Sequence, residues 1–228
     1  MTARWLPIAA FVLTGCSAGV VASPRSAPEP APAVQADLAA VARARADSAR
    51  YPYTEADIRF MTRMIGHHAQ AIVMAEMAPT HDASPQISTL AARIISSQQD
   101  EIAIMQRWLG DRLQPVPRVT SAGTVEMPAG EHSMHDMHGM TMPGMLTEAE
   151  LAELAGSTGR EFDRLFLTYM IQHHRGAVSM VEELFGTYGA AQDELVFKFA
   201  SDVNVDQTTE IARMQRMLVD VIFLSSPP

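Results

Sequence analysis

The chain has a single cysteine among 228 residues, so it can build neither a disulfide framework nor a thiolate zinc site. Aromatic residues make up only 6%. A large sheet would draw on more aromatic and β-branched residues, and helix is the expectation instead. Positive charge is also short, 17 Lys and Arg against 26 Asp and Glu for a net charge of −9. With no basic patch, nothing is there to neutralise nucleic-acid phosphates. No GxGxxG and no Walker-type loop occurs, which removes the usual phosphate cradles. What the chain has in excess is 16 Met and 8 His, in a composition that is 47% hydrophobic and long enough to bury a sizeable core.

Residues 1–16 read MTARWLPIAAFVLTGC, with one positive charge at Arg4 and an apolar run from Trp5 to Leu13. The run is shorter than the roughly 20 residues a bilayer-spanning helix needs and has the build of a secretory signal. Leu13-Thr14-Gly15-Cys16 resembles the lipobox of bacterial lipoproteins. That resemblance implies removal of residues 1–15, acylation of the Cys16 thiol, and tethering to the lipid bilayer by the acyl chains. Ser17 after it implies the outer membrane, with the protein facing the periplasm. A chain in that oxidising compartment, its thiol consumed, is left with Met and His as soft ligands.

Residues 16–36 are rich in Ala, Pro and Ser and form an anchor and a disordered linker. A short leading helix is expected within 37–53, broken by Tyr51-Pro52-Tyr53. The domain proper spans 54–223. Thr54 to Asp57 reads as an N-cap with an acidic partner three residues on, opening a helix from about Glu55 to Ala78 that Pro79 stops. A second helix runs from about Pro85 to Arg112. After a connecting loop at about 114–146, Thr147 to Glu150 forms another capping box and starts a short helix, which Gly156 and Gly159 interrupt. Long helices follow at about Arg160–Tyr188 and Ala191–Phe223, and no strand is expected.

The domain repeats itself. Phe60 to Met74, FMTRMIGHHAQAIVM, matches Phe166 to Met180, FLTYMIQHHRGAVSM, at a constant offset of 106 (60 to 166). The return helices match too, with QQDEIAIMQR from Gln98 against QTTEIARMQR from Gln207 at an offset of 109 (98 to 207). Two copies of one helical hairpin, 54–113 and 147–223, would pack as an antiparallel four-helix bundle. The doubled Met-Ile-x-His-His-x-x-Ala-x-x-Met, followed by Gln-x-x-Glu-Ile-x-x-Met, resembles the bacterial family called domain of unknown function 305. The resemblance covers about Thr54 to Leu218. It implies a ferritin-like all-α bundle and a likeness to a periplasmic copper-binding protein.

Counted at about 100° per residue, Asp57, Met61, His67, His68, Ala71 and Met74 all fall within roughly 80° of Met64. The second half repeats this with Asp163, Met170, His173, His174, Ala177 and Met180. On the return helices Gln98, Glu101, Ile102 and Met105 share a face, as do Gln207, Glu210, Ile211 and Met214. A methionine stripe at this spacing is ordinarily core filler, and Met105 and Met214 are read that way. Paired inward histidines are not, because four imidazoles with carboxylates cost desolvation that leucine would avoid. His67, His68, His173 and His174, with Met64, Met74, Met170 and Met180, are therefore the candidate metal ligands. Imidazole with thioether suits copper, above all Cu(I); calcium and magnesium want oxygen. Met64 with His68, and Met170 with His174, are i,i+4 pairs able to meet on one ion. His67 and His173 face across the bundle or hydrogen-bond to Glu101 and Glu210, which with Asp57 and Asp163 are outer partners or further ligands.

The loop between the halves carries a second feature. EMPAGEHSMHDMHGMTMPGM, from Glu126, holds His132, His135 and His138 interleaved with Met134, Met137, Met140, Met142 and Met145. A solvated loop has no packing reason to hold so many Met, so a flexible metal-capturing segment is expected. The leading reading is a non-enzymatic copper-binding envelope lipoprotein for sequestration, tolerance or delivery. The alternatives are a ferritin-like di-metal oxidase and a metal-free helical partner-binding module. The di-iron pattern needs Glu-x-x-His on each of two helices, and neither Glu101 nor Glu210 has a His three residues on.

Overall fold

Thr54 caps the first long helix as the sequence predicts. Its side chain accepts from the Asp57 N–H (3.4 Å), while Asp57 accepts from the Thr54 N–H (2.6 Å). This reciprocal cap satisfies helix-end donors that would otherwise go unpaired. The computed structural model describes residues 38–43, 45–46, 52–120, 124–127 and 142–223. Residues 38–43 and 45–46 are helical, in keeping with the leading helix. The signal segment, Cys16 and the loop residues His132, Met134, His135, Met137, His138 and Met140 lie outside the described residues.

The domain is predominantly helical. Helix α1 (Glu55–Glu76) ends in a short 3-10 turn, Ala78–Thr80, with Pro79 inside it. Helix α2 (Pro85–Asp111) starts on a Ser84 cap with proline in its first turn, where the missing N–H is not needed. Helix α3 (Glu148–Ala155) opens with the Thr147–Glu150 capping box. Helices α4 (Gly159–Gly186) and α5 (Glu194–Phe223) complete the chain. Helix α5 starts three residues later than its sequence suggests. Ala191 sits at φ +54, and Asp193 caps the helix by accepting from the N–H groups of Leu195 and Val196.

One expectation is corrected. Two short strands, β1 (Arg118–Val119) and β2 (Val125–Glu126), pair antiparallel after α2. A ladder of two residues a side is too short to carry a period-two signal in the sequence.

Helices α1 and α2 pack on each other, as do α4 and α5, and α1 also packs on α4. Each of these pairs runs antiparallel. Tyr53 meets the Trp108 ring edge-on at 5.5 Å while His68 meets Glu101 further along. Arg160 bonds the Val221 carbonyl while His174 meets Glu210. Arg63 approaches Glu183 to 4.0 Å, and Ser84 N–H donates to Asp163. Apolar side chains form two buried clusters. One holds Phe60, Met64, Ile102, Met105, Trp108, Met180, Phe199 and Val203 among others. The second holds Met74, Ile87, Leu90, Ile94, Phe162, Phe166, Met170 and Met214 among others. Along each long helix the residues between these clusters are polar: His67 and His68, Gln98, His173 and His174, Gln207, all buried.

Candidate metal centre

A polar layer thus crosses the middle of four helices, with apolar packing on either side of it. The duplicated motif puts it there. Three- and four-residue spacing turns Phe60, Met64, His67, His68, Ala71 and Met74 inward on α1, and Phe166, Met170, His173, His174, Ala177 and Met180 inward on α4. All four histidines are at most 1% exposed. His67 and His173 come together from the two halves, ring centroids 3.9 Å apart and planes at 41°. His68 donates from Nε2 to Glu101 Oε2 at 2.5 Å, and His174 from Nε2 to Glu210 Oε2 at 2.7 Å. Of the two arrangements open for His67 and His173, the structure takes the contact across the interior. The glutamates serve their neighbours.

Each imidazole keeps one buried nitrogen with no hydrogen-bond partner among the described residues: Nδ1 of His67, His68 and His174, and Nε2 of His173. The Oε1 atoms of Gln98 and Gln207, equivalent positions in the repeat, are in the same state. A buried polar atom left unpaired costs about 1–3 kcal/mol, and such atoms call for an explanation, an ion among them. Burial holds His67 at about 3, well under its ordinary 6.5, with the neighbouring His68 the next cause. Burial and then His67 hold His173 well below its ordinary value. Both rings are therefore neutral at pH 7, the form that binds a metal. Outside the layer, Asp206 is pushed up by burial and then by Glu101, Asp202 and Glu210, which places a carboxylate group beside the two His–Glu pairs.

Among the described residues, no three His, Cys, Asp or Glu converge as a ligand set. An ion in the layer would have to take thioethers as well as imidazoles. Met64, Met74 and Met170 are fully buried and Met180 nearly so. Met64 and Met180 belong to one apolar cluster, Met74 and Met170 to the other. Of these four, each flank of the layer thus receives one from each half; Met61 and Met105 also lie in the first cluster and Met214 in the second. The donor chemistry fits a soft ion.

Asp57 and Asp163 are engaged elsewhere. Asp57 Oδ1 accepts from Ala191 N–H at 2.7 Å, and Asp163 Oδ1 from Ser84 N–H at 3.1 Å. Each repeat's aspartate holds the entry of the other repeat's return helix. Of the loop residues, Met142 packs beside the first cluster and Met145 closes a turn onto the Met142 carbonyl. Sequence reasoning missed Pro143 and Gln70. Pro143 O lies 3.0 Å from His67 Nε2, and Gln70 bonds Leu146. The signal available was the mismatch of Gln70 with Gly176 beside the matching His-His pairs, one of several mismatches between the copies.

The fold is a predominantly helical domain in which two related halves bury a layer of histidines with methionines on either side. The chain belongs to the family described as domain of unknown function (DUF305), whose model matches residues 57–218. It is similar to a DUF305 protein from Streptomyces coelicolor, at 25% identity and TM-score 0.60 over 73% of this chain and 93% of that one. A DUF305 fragment from Deinococcus radiodurans is 29% identical with TM-score 0.57, over 73% and 97%. CopM in its Cu(II)-bound form is 31% identical with TM-score 0.53, over 72% and 96%, and its Cu(I)-bound form is similar to a like degree. No functionally curated protein matches the chain at a significant level.

Proposed function

We propose that this protein binds copper, as Cu(I), in the polar layer of a four-helix bundle made from two related hairpins. The observation that carries the reading is the set of four buried imidazoles, each with a ring nitrogen lacking a partner, flanked by four buried methionines. The likeness to CopM, known in copper-bound forms, supports it. His67, His68, His173 and His174 would be the nitrogen ligands, and Met64, Met74, Met170 and Met180 the thioether set. Glu101 and Glu210 would orient His68 and His174 by accepting hydrogen bonds from their Nε2–H groups. Asp57 and Asp163 hold the hairpins in place around the layer.

The resident ion supplies no reaction step in this reading. The protein keeps His67 and His173 neutral, excludes water, and offers soft donors that oxygen-seeking cations do not match. The Met/His-rich segment with His132, Met134, His135, Met137, His138 and Met140 would add a second capture site. With a lipid anchor at Cys16, the role is copper sequestration, tolerance or delivery at the cell envelope, facing the periplasm from the outer membrane. Metal analysis of the purified protein after separate challenge with Cu(I), Zn(II) and Fe(II) tests this. Copper should be retained through desalting and the other two lost. Equal retention of zinc or iron would sink the copper reading.

A further inference from the structure

The two halves match at their histidines but differ in what lies upon them. Residues 142–146, which lead into α3, cross over α1 and α4 beside the polar layer. Pro143 O stands 3.0 Å from His67 Nε2. Gln70, on the same helix, grips the segment twice: its Nε2 donates to Leu146 O at 3.0 Å, and its Oε1 accepts from Leu146 N–H at 2.8 Å. On the other side the segment lies against bare backbone of α4. A Cβ on Gly176 would fall 1.9 Å from Pro143 O, and Gly144, at φ +74, could carry no Cβ without meeting Gln172 O at 2.5 Å. Gln70 and Gly176 are one position of the repeat, at the offset of 106 (70 to 176). One copy holds the strap with an amide and the other admits it by having no side chain.

A carbonyl oxygen only accepts, so His67 must carry its proton on Nε2. In the neutral ring the lone pair then rests on Nδ1, which is buried and without a partner. Its repeat counterpart, His173, instead has Nε2 without a partner. We propose that the Met142–Leu146 strap is a positioning element of the metal centre: Pro143 O fixes the His67 tautomer and assigns Nδ1 as its ligand atom, whereas His173 binds through Nε2. Gln70 and Gly176 act through the strap. The assignment rests on the copper reading of the layer and makes two sequence-equivalent histidines chemically unlike.

The test uses the full chain with 15N-labelled histidine and Ag(I) as a diamagnetic soft monovalent probe. Long-range proton–nitrogen correlation spectra report which ring nitrogen carries the proton. The metal-free protein should show His67 as the Nε2–H tautomer. Ag(I) should shift His67 Nδ1 and leave Nε2–H in place, and should shift Nε2 of His173. Gly176→Ala and Gln70→Leu both loosen the strap. In either, His67 should lose its single tautomer and Ag(I) should bind about ten- to hundredfold more weakly, the usual effect of removing a ligand's outer partner. A strap that only braces the fold would lower Tm in these variants and leave the His67 tautomer and Ag(I) affinity unchanged, which overturns the proposal. A parent protein in which Ag(I) shifts His67 at Nε2 overturns it too. If Gly176→Ala does not fold, Gln70→Leu and the parent spectra decide. Ag(I) that shifts His173 but leaves His67 untouched refutes the strap's role alone; Ag(I) that shifts no histidine nitrogen refutes the copper reading beneath it.

Discussion

Replacing thioethers with isosteric leucine separates ligand from packing residue. Met64 and Met180 lie in one apolar cluster and Met74 and Met170 in the other, all at most 3% exposed. A volume-conserving Met→Leu change costs less than about 1.5 kcal/mol per site, so the metal-free double variants should fold with modestly lower Tm. At a Cu(I) concentration 100 times the parent's Kd, binding stabilises by about 2.7 kcal/mol. For a domain of this size that is a rise of roughly 5–11 °C. A tenfold loss of affinity at the same concentration leaves about 1.4 kcal/mol, and a hundredfold loss about 0.4 kcal/mol. The copper-induced rise should therefore shrink to roughly 3–6 °C or 1–2 °C in Met64→Leu/Met180→Leu and in Met74→Leu/Met170→Leu. Met105→Leu/Met214→Leu is the control and should keep the full rise, because these side chains lie in the same two clusters but outside the proposed ligand set. Thermal melts by circular dichroism under reducing, anaerobic conditions read all of this. Equal copper-induced rises in every variant would show that all six methionines only fill space.

Acid should destabilise the metal-free protein through its buried imidazoles. His67 titrates at about 3 when folded against an ordinary 6.5, and His173 is likewise lowered. Below pH 6.5 the unfolded chain takes up protons the folded one refuses, so stability is full above that pH and falls as pH drops toward 3. The slope is up to about 1.4 kcal/mol per pH unit for each histidine, and denaturant titrations of His67→Leu/His173→Leu should show it flattened. Asp57→Ala should cost more than Asp163→Ala. The former loses a helix cap, about 1 kcal/mol, besides leaving Ala191 N–H unpaired, about 1–3 kcal/mol; the latter loses the bond to Ser84. Urea unfolding compares them, and equal losses would contradict the assignment. Cys16→Ala should move the protein from the membrane fraction to the soluble fraction; retention with the signal uncut would refute the acyl anchor.

Helix positions are largely legible because their ends carry chemistry. Thr54, Ser84 and Thr147 cap, Pro79 stops, and the inward face follows from period alone. The start of α5 is not legible, because nothing local shows that Asp193 must cap it while also receiving Trp108 Nε1–H and the Arg112 guanidinium. Those partners are 85 and 81 residues away. Angle without height explains the aspartates. The helical wheel turns Asp57 and Asp163 inward with the histidines, but it carries no distance along the axis. Both sit at helix entries, where each accepts from a backbone N–H of the other half, Asp57 while also accepting from Thr54 N–H of its own. The strap is illegible for a related reason: a proline carbonyl leaves no mark in composition, and the departure of Gln70 from Gly176 is one of several mismatches between the copies.

The polar layer is costly in the absence of metal. Four imidazole nitrogens without partners among the described residues, at about 1–3 kcal/mol each, amount to roughly the whole net stability of an ordinary domain, about 5–15 kcal/mol. The fold tolerates them because apolar clusters close over the layer from both sides and because the aspartates, the Arg112–Asp193 pair and the strap tie the halves together around it. Leucine at those four positions would remove the cost and, in the proposed copper reading, the binding with it. A chain selected only to stand up as a helical domain has no use for the arrangement, and building it in both copies doubles the destabilisation. An ion that satisfies the four nitrogens turns that cost into affinity, with the ligands already ordered and dry before it arrives. Binding then requires little rearrangement of the helices, which is the physical content of preorganisation.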